Sequence, residues 1–364
     1  MRAHRLWLFL VTSLVLIMTG CSETESTRTS DSSEQPPPEY PVTWRFALEE
    51  IEGSVQHAYA EALKSRIEEA SGGKVELDIF PYGSLGTSSQ LTELVRNGSV
   101  DLAFASPGHL ADLIPETGIF TLHYVLPNED SVNRALFAGS ELTRLFSAAY
   151  NEKHLTLLGF VPEGWMAWTA NKPLKSPSDF EGLRIRTMTS QMSAEAFRSY
   201  GADPRQTPYS QVYSDLQLKQ IDGQTNPVFA IEEMNFYEVQ DTLTMPRAAH
   251  FVSSVVANPE WYAQLPEQQQ DWLAVALIEV GKEAWDIQKE LNQTRLETML
   301  EEGQLAVTRL SEQERAAFRE ASKPALEFYL RQTGERGQQI LESLRNIITD
   351  LENQQASGSG GNGD

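Results

Sequence analysis

Residues 180–239 read FEGLRIRTMTSQMSAEAFRSYGADPRQTPYSQVYSDLQLKQIDGQTNPVFAIEEMNFYEV. From Leu183 to Arg186 apolar and basic residues alternate. That is strand grammar, with Arg184 and Arg186 on one face and Leu183 and Ile185 on the other. Ser193 to Tyr200 predicts a short helix closed by Gly201, which suits a left-handed cap. A second helix is expected over Gln211–Lys219 behind Ser210 as N-cap. Ile221-Asp222-Gly223 then brings the chain back toward a sheet. A strand, helices and a return strand build a mixed α/β sheet.

The words G-L-R-I-R (182–186), S-A-E-A-F (193–197), Y-G-A-D-P (200–204), P-Y-S-Q-V-Y-S-D-L-Q (208–217) and I-D-G-Q-T-N-P (221–227) occur here in one order and spacing. The linked set resembles the DctP-type solute receptor of the tripartite ATP-independent periplasmic (TRAP) transporters. Supporting matches run from about Trp44 to about Ile347. The resemblance implies a two-lobed, Venus-flytrap α/β fold with mixed sheets and a long helix spanning both lobes. It also implies a carboxylate ligand in an interlobe cleft, closure on that ligand, and delivery to a permease of small and large membrane subunits.

Composition agrees with a soluble receptor and excludes other classes. The chain has 364 residues, enough for two ordinary domains. With 29 basic against 51 acidic residues the net charge is −22. Nucleic acid is not expected as a partner, because phosphate binding needs a basic footprint. The acidity reads as a well-solvated surface, and it leaves room for an anionic ligand where one buried arginine sets the local field.

Cys21 is the single cysteine, so no disulfide can form within one chain. Arg2 and Arg5 precede a short apolar run, Leu6–Met18, and Thr19-Gly20-Cys21 follows. This resembles a bacterial lipobox, with 1–20 as signal peptide and Cys21 as the lipidated new N-terminus. Met18 departs from the usual Leu. An ordinary secretory signal with an incidental cysteine is the alternative. Ser22, in place of Asp, would sort the lipoprotein to the outer membrane of a Gram-negative cell. Residues 21–42 are Ser-, Thr-, Glu- and Pro-rich and read as a tether. The receptor is thus expected on the periplasmic side of a bacterial membrane, as a monomer.

Alternation predicts strands at 42–47, 75–81, 100–106, 155–161 and 305–310. Helices are expected over 55–70 and 90–98, and from Pro266 to Glu302, stopped by Gly303. Ser311 and Glu314 form a capping-box pattern. Residues 163–173 and 251–257 are the expected crossings between lobes. Lobe I then takes 43–163 plus about 252–290, and lobe II takes 164–251 plus about 291–350. A disordered tail is expected over 351–364, Gly/Ser-rich from Ala356.

Arg186 is the first choice for the ligand carboxylate. A guanidinium offers a planar fork matched to a carboxylate, and the family's ligand arginine falls on this position. The alternative for Arg186 is a sheet-edge arginine in water or an internal ion pair, the role expected of Arg184. Asn226 matches the family's pocket asparagine, and its amide both donates and accepts; its other reading is an Asx turn before Pro227. Tyr209 matches an aromatic lining position and is otherwise core.

Met166 stands where many members carry a second arginine, which argues against a second ligand carboxylate. Trp165 and Trp168 flank it. Together they would make a wide polarizable wall, or else simply interlobe packing. A similar E-G-W-M-A-W word is associated in the family with indole-type acids. The ligand expected is therefore a monocarboxylate with an apolar or aromatic body, such as an indole-type or aromatic 2-oxo or amino acid. Glu52, Ser106 and Gln90 are candidate rim residues, since ligands sit beyond the carboxyl ends of strands in open α/β sheets.

Catalysis finds no support. The histidines at 4, 57, 109, 123, 154 and 250 are scattered, and no H-E-x-x-H, G-x-S-x-G or phosphate-binding loop occurs. Glu49-Glu50 and Glu232-Glu233 resemble solvated helix faces. No metal or cofactor is expected, and no enzyme. A receptor for another importer or a sensor kinase, and an extracytoplasmic enzyme on the same scaffold, are the competing classes.

Overall fold

A computed structural model describes residues 41–302 and 305–359. The expectations for Cys21, the signal peptide, the tether and Gly303 lie outside the described residues.

In chain order the elements are β1 (Val42–Ala47), α1 (Val55–Ser71), β2 (Val75–Phe80), α2 (Ser88–Arg96), β3 (Leu102–Ala105) and α3 (Pro107–Leu110). Then come α4 (Asp130–Ala138), α5 (Ser140–Asn151), β4 (Thr156–Ala170), β5 (Arg184–Thr187), α6 (Gln191–Arg198), β6 (Asp203–Gln206), α7 (Val212–Gln217) and β7 (Gly223–Pro227). The chain ends with α8 (Val228–Glu233), β8 (Thr242–Met245), β9 (His250–Ala257), α9 (Pro259–Gln264), α10 (Glu267–Glu302), β10 (Ala306–Arg309), α11 (Glu312–Ala321) and α12 (Lys323–Ser359).

The sheet order is β2-β1-β3-β9-β4-β7-β5-β6, with β8 joined to β4 and β10 to β8. Pairs β1–β2, β1–β3, β5–β6, β5–β7 and β8–β10 are parallel, whereas β9 and β4 run antiparallel to their neighbours. Strand β4 belongs to two hydrogen-bonded sets. Thr156–Trp165 pairs with β9, and Met166–Ala170 pairs with β7. The change falls beside a register shift between Pro162 and Gly164. Gly164 has φ +129° there, a conformation that side chains other than glycine's rarely adopt. A Cβ would also lie 2.4 Å from Asn292 Nδ2.

Helix α10 ties the two sets together. Leu273, Ala276, Val280 and Ala284 pack into the core with Trp44, Phe46, Leu63 and Leu77. Met299, with Ile287, Leu291 and Leu296, packs with Val55, Ala167, Phe229 and Phe236. At about 1.5 Å per residue its 36 residues span roughly 54 Å. The carbonyl of Pro266 accepts the Gln270 amide, so the proline sits just before the helix and its missing N–H costs no bond.

Several local expectations change. Ser210 is not an N-cap: Tyr209–Gln211 forms a 3-10 turn, and α7 starts behind Gln211 with no side-chain cap. Strands β6 and β8 have four residues each: β6 (Asp-Pro-Arg-Gln) is largely exposed and carries no apolar alternation, whereas β8 (Thr-Leu-Thr-Met) alternates over too short a run to stand out. Helix α12 runs through Ser359 in place of a disordered tail from 351. Leu344, Ile348 and Leu351 pack on the core, and that docking carries the helix past them. Gly334 (φ 59°, ψ −142°) breaks α12 into two helical pieces. The expected capping box at Ser311 is formed: Ser311 Oγ accepts the Glu314 amide, and Glu314 Oε2 accepts the Ser311 amide at 2.7 Å.

Candidate functional site

The carboxyl ends of two parallel pairs, β1/β3 and the oppositely directed β5/β7, converge on one chamber. Glu49 and Glu50 follow β1, Ser106 and His109 follow β3, Arg186 and Met188 end β5, and Asn226 ends β7. Ser88, Tyr209, Ala230 and Phe251 complete the lining. This is where open α/β sheets hold ligands.

Arg186 is the chemical centre of this chamber. It is 1% exposed. Its Nε donates to the Thr207 carbonyl at 2.9 Å, and Nη1 has no partner among the described residues. Burial lowers its pKa to about 10, so it stays cationic at neutral pH. Arg184, two residues away, holds Asp222 from Nε (2.9 Å) and Nη2 (2.6 Å). The two arginines of one strand thus have different jobs, one closed by an ion pair and one open to the chamber.

Asn226 lines the same chamber, its Nδ2 donating to Gln224 Oε1 at 2.5 Å. Tyr209 lines it too, and its hydroxyl donates toward Glu233 (3.1 Å) and the Ala230 carbonyl (3.2 Å). Ser106 donates its amide to Glu49 Oε2 at 2.9 Å, while its Oγ is buried without a partner. His109 holds Thr189 Oγ1 at 2.9 Å. Burial, and then the Arg186 charge, push its pKa down to about 3, leaving a neutral ring.

The acidic residues revise the sequence reading. Glu49 and Glu50 are not solvated: each is 5% exposed. Burial lifts Glu49 to about 8 and holds Glu50 well above the ordinary carboxyl range. Glu163 on β4 is fully buried; its Oε1 accepts from Gln56 at 3.2 Å, and burial raises its pKa. Glu233 is half-buried and lifted to about 8 by burial, and Glu232 is paired with Arg295 at 3.3 Å. Among the described residues Glu49 Oε1 and Glu163 Oε2 have no hydrogen-bond partner.

Two rim candidates lie outside this chamber. Glu52 is exposed and outside the chamber, because the residues directly beyond β1 are Glu49 and Glu50 and the chain has turned away at Gly53. Gln90 is exposed and accepts the Thr87 amide at 2.8 Å as part of a capping box. Ser88, two residues earlier, takes the rim position.

A second chamber adjoins the first and shares Met188 and Phe251 with it. Met166 lines this second chamber, with Phe120, His123, Phe197 and Ala249. Trp165 and Trp168 do not line either chamber. Trp165 lies under the Arg247 guanidinium at 4.4 Å, and its Nε1 donates to Asp130 at 3.1 Å. Trp168 lies two residues beyond Met166, about 7 Å further along the strand. There it packs against Phe180 and Phe318 behind His123 and Phe197. Among the described residues no group of three acidic, histidine or cysteine side chains is placed to hold a metal, and no helix is long and apolar enough to cross a membrane.

Residues 46–332 match the family described as bacterial extracellular solute-binding protein, family 7 (DctP). The ectoine-binding periplasmic protein TeaA of Halomonas elongata is 35% identical over 84% of this chain and 90% of its own. The ectoine/5-hydroxyectoine-binding periplasmic protein UehA of Ruegeria pomeroyi is 32% identical over 83% of this chain and 89% of its own. The crystal structure of a TRAP periplasmic solute-binding protein from Marinobacter aquaeolei VT8, in an apo open form, superposes with a TM-score of 0.80. It is 61% identical and covers 83% of this chain and 99% of that one. A fold with binding groups at the strand ends defines a periplasmic solute receptor of the TRAP type, a binding protein and not an enzyme. The chain belongs to the DctP family of bacterial extracellular solute-binding proteins.

Proposed function

We propose that this receptor captures an organic acid by its carboxylate on Arg186 and delivers it to a TRAP permease. The observation that carries the reading is a buried guanidinium with Nη1 unpartnered at the chamber where the strand ends converge. A carboxylate there would form charge-assisted bonds strengthened by low solvent exposure. Asn226 and Tyr209 stand on the same wall to orient it.

The ligand body is read as apolar or aromatic, in an acid with one carboxylate. Met166, where the family resemblance implies a second arginine in many members, lines the adjoining chamber and brings no charge. Indole-type and aromatic 2-oxo or amino acids fit this reading. Burial of Glu49, Glu50 and Glu163 beside the chamber favours a second version, an acid that also carries a cationic or N–H donor group. A bound cation would draw these carboxyls back to their charged form. Ectoine, named in the first two relatives, therefore joins the test panel.

In this account the two strand sets are the lobes, expected as 43–163 plus about 252–290 and 164–251 plus about 291–350, except that Ile340, Leu341, Leu344 and Ile348 of α12 pack with Leu136, Phe146 and Tyr150 of the first. Ligand touches both only when they close, so binding shifts the population toward the closed form. The receptor acts as a monomer tethered through lipidated Cys21. A thermal-shift screen of aromatic acids, ectoine, dicarboxylates and sugar acids, with matched amides, tests the ligand class. A ligand at a hundred times its Kd adds about 2.7 kcal/mol of stability. Stabilisation by dicarboxylates alone would refute the single-carboxylate reading. Metabolic labelling with a fatty acid, abolished by Cys21→Ser, tests the anchor.

A further inference from the structure

Two residues of the second chamber's wall carry buried polar atoms that no described residue satisfies. Thr225 Oγ1 and His250 Nε2 have no hydrogen-bond partner, and their residues are 5% and 1% exposed. Both residues line the chamber, amid Phe120, Met166, Phe197 and Ala249. Buried polar atoms in native proteins are nearly always paired, so an unpaired couple on two residues that line one cavity points to a group arriving from outside the chain. His250 Nδ1 lies 3.1 Å from the Phe251 carbonyl. Nδ1 also lies 3.4 Å from the Gly164 amide, so both tautomers have a partner there, and Nε2 can accept or donate. Burial lowers the pKa of this ring to about 4, so it is neutral.

Met188 and Phe251 border both chambers. Met188 ends in the space left by Gly108, where a Cβ would lie 2.1 Å from its Cε. A methionine has three flexible torsions and adapts its shape at low cost. It stands between Arg186 in the first chamber and the two unpaired atoms in the second.

We propose that the ligand is an elongated organic acid that occupies both chambers. Its carboxylate sits on Arg186, its apolar body passes Met188 and Phe251, and a hydroxyl or ring N–H at its far end bonds His250 and Thr225. Met188 sets the width of the passage and hence which bodies enter. This rests on the Arg186 reading and goes beyond it by assigning the length and the far-end chemistry of the ligand.

Calorimetry with three probes tests it: phenylacetate, 4-phenylbutanoate and 4-(4-hydroxyphenyl)butanoate. The hydroxylated long acid should bind at least about tenfold tighter than phenylacetate, with the plain long acid between them. Ala249→Leu, which fills the second chamber, should cut the long-to-short ratio to less than about threefold while phenylacetate still binds, showing an intact first chamber. His250→Phe should erase the advantage of the hydroxyl and supplies the answer if Ala249→Leu does not fold. Equal affinities for the three acids, or ratios unchanged by both variants, overturn the proposal while Arg186→Ala still abolishes binding. Binding that survives Arg186→Ala, or no binding of any probe, overturns the carboxylate reading and this proposal with it.

Discussion

Arg186 is held to the backbone of Thr207, its Nε donating to the carbonyl oxygen across 2.9 Å. Arg186 and Thr207 lie on adjoining parallel segments, the ends of β5 and β6. The bond fixes the plane of the guanidinium while Nη1 is left unpartnered. A lysine keeps the charge but has neither the Nε anchor nor the planar fork. Arg186→Lys is therefore expected to weaken acid binding by at least about tenfold without loss of fold, read by calorimetry and circular dichroism.

Glu49 should give the ligand-free protein a distinctive pH dependence. Its folded pKa, about 8, lies above the ordinary 4.5. The folded state therefore holds a proton that the unfolded chain releases, and stability falls as pH rises from about 4.5 to about 8. Glu50 and Glu163 shift in the same direction. Glu49→Gln should leave the melting temperature near wild type at pH 4.5 and raise it relative to wild type at pH 8. A constant difference across that range would contradict the assignment.

Asp222→Asn separates the two arginines of β5. It breaks the bidentate pair to Arg184, whose partners are each about one-third exposed. Exposed pairs contribute little, so only a small fall in melting temperature is expected. Acid affinity should stay within about threefold of wild type. A large loss of affinity would mean that Arg184 serves the ligand.

Gly164 marks the place where β4 changes partners. An alanine there must hold φ +129° and displace Asn292, whose Nδ2 bonds the Glu163 carbonyl at 2.8 Å. Gly164→Ala is expected to cost about 1–3 kcal/mol, seen as a lower midpoint in urea. An unchanged midpoint would show that the crossing tolerates a side chain.

Much of this arrangement was legible in the sequence. The alternation at 42–47 and 75–81 gave β1 and β2, and the long apolar stripe gave α10 to within a residue of its ends. Arg186, Asn226, Tyr209 and Ser106 all reach one chamber, placed by a rule about strand ends and a family resemblance. What stayed hidden depended on depth. Glu49 and Glu50 look like surface residues by type, and only their position directly after β1 hinted otherwise. Met188 shares a face with Arg186 by simple alternation, but its type reads as core as readily as pocket wall. Trp168 shares the face of Met166, but sequence does not tell where along a strand the covering layer begins. His250 and Phe120 come from distant segments, and only tertiary packing brings them together.

The most direct measurement is calorimetry of one stabilising acid and its primary amide against wild type and Arg186→Ala, with both proteins shown folded by their melting curves. The account predicts that wild type binds the acid at least about a hundredfold tighter than the amide, and that Arg186→Ala erases the difference. If Arg186→Ala binds the acid as tightly as wild type does, the carboxylate lies elsewhere and the central assignment is wrong.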